Sequence, residues 1–184
     1  MIYPIVAYGS HVLKEKCSNV RKDYKGLDIL IENMWETMYA ANGVGIAAPQ
    51  INKSLRIFLV DTSNISIDDN PNPNPIKKVF INAEVLNQHG EKWSFPEGCL
   101  SIPEIREDVF RCSEITIKYF DENFDSYIDT FNDINARVIL HEYDHVEGVL
   151  FTDHISLLRK KMINRKLNNI MKGKVKVDYR MKFK

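Results

Sequence analysis

The chain predicts an α+β fold, with mixed and antiparallel β-sheets packed around one central helix and a further helix at the C-terminal end. Three observations predict it. Short apolar, β-branched runs fill the first two-thirds of the chain, divided by polar and proline-bearing stretches. Helical periodicity is confined to residues 27–41 and to the last third. The most distinctive motif, His141-Glu142-Tyr143-Asp144-His145, falls inside the first helical stretch of that last third.

Taken in order, Leu27, Leu30, Ile31, Met34, Trp35 and Met38 recur at helical spacing, and Asn42-Gly43 ends the pattern, which gives a helix over 27–41. Residues 55–60 are a short apolar run suited to a buried strand. Residues 61–75 are polar, and Pro71, Pro73 and Pro75 cannot donate to a ladder, so a solvated loop is expected. Strands follow at 79–86, 115–120 and 127–131, the last two as a hairpin, while Gln88-His89-Gly90 reads as a solvated turn. Asn132 or Asp133 can cap a helix carrying Ile134, Val138, His141 and His145 on one stripe, ended by Gly148. Ser156 can cap a last helix with Leu158, Met162, Ile163, Leu167, Ile170 and Met171 turned inward.

The 184 residues, 44% hydrophobic, supply one core, so residues 1–184 are expected to form a single domain, with 155–184 as a basic helix and tail. The formal net charge of zero argues against a protein built to wrap nucleic acid, and no DNA binding is expected. From Arg159 onward, however, eleven lysines and arginines ending at Lys184 face only Asp178. Cys17, Cys99 and Cys112 cannot all pair, which fits a reducing compartment or a thiol kept for chemistry. Neither a signal peptide nor a membrane span is legible, so cytoplasm is the expected location.

H-E-x-x-H on a helix puts two imidazoles on one face, where both can grip a metal ion. Glu142 then stands close enough to exchange protons with a water on that metal. A hydrolytic site wants a third ligand. The metzincin pattern would supply it at residue 151, which is Phe, and the only later glutamate, Glu147, lies beside the motif on the same turn. The third ligand is therefore expected upstream. Cys99, in Glu97-Gly98-Cys99-Leu100-Ser101, is the best candidate, with His89 as competitor and a plain buried thiol as the bland alternative. Gly98 lets backbone approach closely there. His11 and His154 read as surface residues, and Cys17 and Cys112 as small core hydrophobes. In Gly43-Val44-Gly45-Ile46-Ala47-Ala48-Pro49-Gln50, glycines at 43 and 45 expose backbone to which an extended peptide could pair as an added strand.

Those three segments together resemble the signature motifs of the peptide deformylases, in order and approximate spacing, across nearly the whole chain. The resemblance implies a single metallohydrolase domain that removes the formyl group from N-formylmethionyl nascent peptides. It implies Cys99, His141 and His145 as ligands of one divalent metal ion, iron(II) natively, with zinc, nickel or cobalt as alternatives. Glu142 would be the general base and acid. The Gln50 amide and the Leu100 backbone N–H would stabilise the developing oxyanion. Substrate contacts would come from Gly43, Val44, Gly45, Phe95, Glu97, Gly98, Arg106, Ile134 and Val138, with Val44, Phe95, Ile134 and Val138 lining a methionine pocket or serving as plain core. Arg111 would pair with Asp144 and orient the metal helix.

The chain departs from the family in three places. Leu140 replaces the usual Gln before the first motif histidine, Asp133 stands where glycine is common, and Glu104 replaces a frequent glycine. Two rival readings remain, a metalloendoprotease and a non-catalytic ribosome-associated relative anchored by the basic last helix. Ribosome contact through that helix is also compatible with the enzyme.

Overall fold

The computed structural model describes residues 1–67 and 69–183, so Asp68 of the expected loop and Lys184 of the basic tail lie outside the described residues. In chain order the elements are β1 (Ile5–Val6), α1 (Leu27–Ala40), β2 (Gly45–Ala47), β3 (Ile57–Asp61), β4 (Ser66–Ile67), β5 (Asn70–Pro71), β6 (Lys77–Cys99), β7 (Ile102–Phe120), β8 (Ser126–Asn132), α2 (Asp133–Val146), α3 (Leu157–Met171) and β9 (Met181–Lys182). The fold is α+β.

The main sheet is antiparallel, in the order β2-β3-β6-β7-β8. Strand β3 explains its own unbroken apolar run, because both its faces are covered. Ile57 and Leu59 pack with Met34 and Met38 of α1, while Phe58 and Val60 pack with Ile139 and Leu140 of α2. Phe58 stacks on Phe80 at 4.7 Å between centroids, and Phe80 meets Tyr119 at 4.5 Å, tying β3, β6 and β7 into one layer. Helix α2 is enclosed on nearly every side, with Ala136, Ile139 and Val146 fully buried. A third cluster seats Ile163, Leu167 and Ile170 of α3 on Ile105 and Val109 of β7 and on Leu13. The two chain ends meet as a parallel pair, Ile5 opposite Met181 and Val6 opposite Lys182.

Several expected elements are corrected. The loop over 61–75 holds a small antiparallel ladder, β4 with β5, in which Ser66 lies opposite Pro71. Asn72 is buried there, donating to Thr62 at 3.1 Å and Asn135 at 3.0 Å. Strands 79–86 and 115–120 are parts of one long hairpin, β6 with β7, bent by register shifts at Ile81/Glu84, Val85/Asn87, His89/Lys92 and Gly98/Cys99. His89-Gly90 is thus a bulge within β6, with Gly90 at φ +77°, and not a free turn. The inward positions of the arm explain why it escapes hydrophobic patterning: Glu97, Glu107 and Arg111 are all buried. In α3, Leu158 and Met162 face solvent, 69% and 63% exposed, and only Ile163, Leu167 and Ile170 are buried. The expected caps divide: the Ser156 hydroxyl accepts from Arg159 N–H at 3.2 Å, but the Asn132 side chain makes no capping bond. Asp133 adopts φ 50°, the left-handed region that glycine enters without steric cost and that Asp tolerates better than most residues.

Candidate metal centre and catalytic cleft

The long hairpin and α2 deliver the three expected ligands to one point. One helical turn sets the His141 and His145 rings 5.2 Å apart, and Cys99 ends β6 directly opposite. The ligand atoms of Cys99, His141 and His145 lie within 4.8 Å of one another, with Cys99 Sγ 3.3 Å from His145 Nε2. His89, the competitor, sits elsewhere on β6 paired with Glu114.

Nδ1–H of His141 donates to Glu97 Oε2 at 3.0 Å, which fixes the tautomer and leaves Nε2 with its lone pair toward the trio. Glu97, expected at the substrate cleft, does line it, but its carboxylate is buried among protein partners. It also accepts from Arg111 Nε at 2.7 Å, Arg111 Nη2 at 2.9 Å and Arg137 Nη1 at 2.7 Å. Burial raises the Glu97 pKa, yet His141 and Arg111 override it and hold the carboxyl well below the usual range. Arg111 continues the chain of contacts to Asp144 at 2.8 Å, and the same Asp144 oxygen meets His154 Nε2 at 2.8 Å.

The centre is electrostatically divided. Burial opposes ionisation of Cys99, but His145 and His141 bring its thiol down to about 5, in reach of a thiolate ligand. Burial pushes the Glu142 carboxyl up to about 7, against the pull of both histidines. Glu142 Oε2 and His145 Nδ1 are buried with no hydrogen-bond partner among the described residues. One sulfur and two imidazole nitrogens, converging with an orphaned carboxylate oxygen beside them, suit a divalent transition metal.

Around the trio opens a cleft of about 870 Å³. Gln50 lies in a short 3-10 helix, Ala48–Ile51, directly after β2. Its Oε1 accepts from Ala47 N–H at 2.8 Å, which orients the amide so that Nε2 faces Cys99 Sγ at 3.5 Å. Leu100 occupies the two-residue turn between β6 and β7, next to Cys99. Gly45 is required by close approach: a Cβ there would lie 2.8 Å from Cγ and Cδ of Glu142. One at Gly43 would lie 2.9 Å from Leu100 Cδ1.

Val44, Phe95, Ile134 and Val138 all line this cleft, though Ile134 and Val138 also belong to the core cluster. Arg106 is exposed at the rim, opposite Gly98 in the ladder, and donates to the Pro96 carbonyl at 3.4 Å. Two contributors escaped the sequence reading. Arg137, four residues before His141, was a charge on the apolar stripe, a legible but unused signal; it donates to Glu97 and to the carbonyls of Val109 at 3.0 Å and Trp93 at 2.7 Å. The tail segment 176–179 also lines the cleft, and no motif marks it.

The family model described as polypeptide deformylase matches residues 2–161. A peptide deformylase of Flavobacterium psychrophilum is 53% identical over 188 residues, spanning 99% of this chain and 97% of the relative. One of Christiangramia forsetii is 51% identical over 189 residues, spanning 100% and 96%. The crystal structure of a peptide deformylase from Legionella pneumophila superposes with a TM-score of 0.80 at 33% identity, covering 95% of this chain and 98% of that one. Agreement at the level of motif, whole sequence and backbone leads to one assignment: this chain belongs to the peptide deformylase family.

Proposed function

We propose that Cys99, His141 and His145 hold the catalytic metal and that Glu142 moves the protons in this chain's deformylation reaction. As a peptide deformylase, the chain is a metal-dependent hydrolase that removes the N-formyl group from nascent peptides. What carries the assignment of roles is the buried Glu142 carboxylate, one oxygen unpartnered, beside three converging ligand atoms at the floor of an open cleft. When bound there, a divalent cation supplies Lewis acidity, which makes water a stronger acid at neutral pH. Glu142 takes a proton from the attacking water as its oxygen adds to the formyl carbon. The Gln50 amide and the Leu100 N–H donate to the formyl oxygen as negative charge grows on it, each worth about 3 kcal/mol at the transition state. Glu142 returns the proton to the amine nitrogen as the C–N bond breaks, and formate leaves. Gly43 and Gly45 offer backbone to the extended peptide, Val44, Phe95, Ile134 and Val138 receive the methionine side chain, and Arg106 approaches the peptide backbone. Arg111 and Asp144 steady the helix that bears both histidines. The chain works as one metallohydrolase domain.

Iron(II) is the metal we assign, a borderline ion suited to thiolate and imidazole together, with zinc, nickel and cobalt as substitutes. The exposed Arg159, Lys161, Arg165 and Lys166 of α3 support contact with an anionic surface such as the ribosome. Three free cysteines support a cytoplasmic setting. Among the described residues no helix is long and apolar enough to cross a membrane. Anaerobic purification with metal analysis, coupled to formate release from formyl-Met-Ala-Ser, tests the core of the reading. Formate from that peptide and none from its unformylated or internally scissile counterparts is expected. Turnover independent of Cys99 would overturn it.

A further inference from the structure

We propose that the C-terminal tail is a working wall of the catalytic cleft, where Lys176 and Asp178 read the side chains that follow the formylated methionine. The inference rests on the active-site reading above and extends it to residues beyond the matched segment 2–161. Lys176, Val177, Asp178 and Tyr179 line the same cleft as His141 and Glu142. The tail is tied down on both sides of this stretch. Before it, Lys174 N–H donates to the Asn169 carbonyl at 2.8 Å. After it, Ile5 N–H donates to the Arg180 carbonyl at 2.8 Å and Ala7 N–H to Lys182 at 2.9 Å, within the β1–β9 pair.

Tyr179 pins the middle. Its hydroxyl donates to the Leu100 carbonyl at 2.7 Å, so the wall is fastened to the turn that follows the Cys99 ligand. Tyr8 N–H holds the other residue of that turn, donating to the Ser101 carbonyl at 2.8 Å. Both terminal segments therefore clasp the β6–β7 turn from outside.

Among the described residues neither Lys176 nor Asp178 has an ion-pair partner, and both are exposed. Strand β2 lies at the edge of the main sheet, with β3 on one side only. A peptide added along that edge advances about 3.3 Å per residue, so its second and third residues leave the metal centre within reach of the cleft's rim. A cleft of about 870 Å³ has room for more than a formylmethionyl group. Two unpaired, oppositely charged side chains at such a rim act on the charge of the passing residues, not on the chemistry.

The test is a charge swap. Rates are measured for formyl-Met-Ala-Lys and formyl-Met-Ala-Glu amides with the wild-type protein, Asp178→Lys, Lys176→Glu and Lys172→Glu; Lys172 does not line the cleft. The ratio of kcat/KM for the Lys peptide over the Glu peptide should fall several-fold in Asp178→Lys and rise several-fold in Lys176→Glu, with the change in KM. Lys172→Glu should keep the wild-type ratio. Equal ratios in all four proteins, with the wild type active, would overturn the wall. So would a shift in Lys172→Glu as large as in the cleft variants, since that marks a general surface potential. A wild type inactive on every formyl peptide would instead bring down the active-site reading beneath it.

Discussion

In the proposed reaction Glu142 moves the protons, and its environment is set by single residues. Burial keeps its carboxyl near 7, and Gly45 leaves the space into which it fits. Glu142→Ala should lower kcat by about 10²–10⁴-fold, the usual worth of a positioned proton carrier, while metal content measured by elemental analysis stays at the wild-type level. Metal loss in that variant would make Glu142 a ligand and not a base. Gly45→Ala should cost roughly 10²-fold in kcat with little change in thermal midpoint, because the added Cβ meets Glu142 Cγ and Cδ at 2.8 Å and displaces the carboxylate. Unchanged turnover would mean that Glu142 has room to spare. Leu140, in place of the usual Gln, is almost wholly buried in the core beneath α2.

At the level of elements, the hairpin β6–β7 and helix α2 are joined by buried charge where ordinary core would stand. Arg111 bridges Glu97, which orients His141, to Asp144 on the motif helix. Its guanidinium, despite burial, is pushed above its ordinary value by Glu97 and Asp144. Arg111→Ala leaves two buried carboxylates short of a partner. It should destabilise the protein by about 3–5 kcal/mol and reduce metal retention, read by urea unfolding and by metal content after dialysis against a weak chelator. Stability loss with full metal retention would confine Arg111 to the fold. This charged interior is also why the arm over 87–114 was hard to read. Period-2 burial is present in β7, but Glu107 and Arg111 occupy inward positions that a hydrophobicity pattern assigns to solvent. The outward Leu158 and Met162 make the opposite error: apolar residues at helical spacing on a face that only three residues of α3 bury.

For the molecule as a whole, the two chain ends pair with each other and are fastened to the turn of the long hairpin. Asp153 ties the N-terminal segment to the start of α3: it pairs with Lys14, accepts from the nearby Leu150 N–H at 2.9 Å and meets Lys160 of α3 at 3.0 Å. Burial raises its pKa, but Lys14, the Leu150 N–H and Lys160 outweigh this and hold it at about 2, below the ordinary 3.8. A depressed folded-state pKa stabilises fully above the unfolded value and is lost as pH falls through the folded one. The stability gap between wild type and Asp153→Asn should therefore be about 1 kcal/mol near neutrality, narrow from about pH 5 and close near pH 1, followed by urea midpoints. A gap undiminished at pH 2 would show the carboxylate's charge is not what matters.

The two histidines and the glutamate of the H-E-x-x-H motif, the helices and the inner strand β3 were legible in the linear sequence, because each is a local pattern: His four residues from His, a 3.6-residue stripe, an unbroken apolar run. That Cys99, far upstream, converges on both histidines is decided by the fold. The roles of Glu97 and Arg137, the length of the bent hairpin and the tail's place at the cleft were not. Each depends on which polar groups meet between segments that no local pattern links, as Arg137 meets Glu97 and the Tyr179 hydroxyl meets the Leu100 carbonyl. Burial makes such pairings strong, and only the three-dimensional packing of the chain determines which groups are buried together.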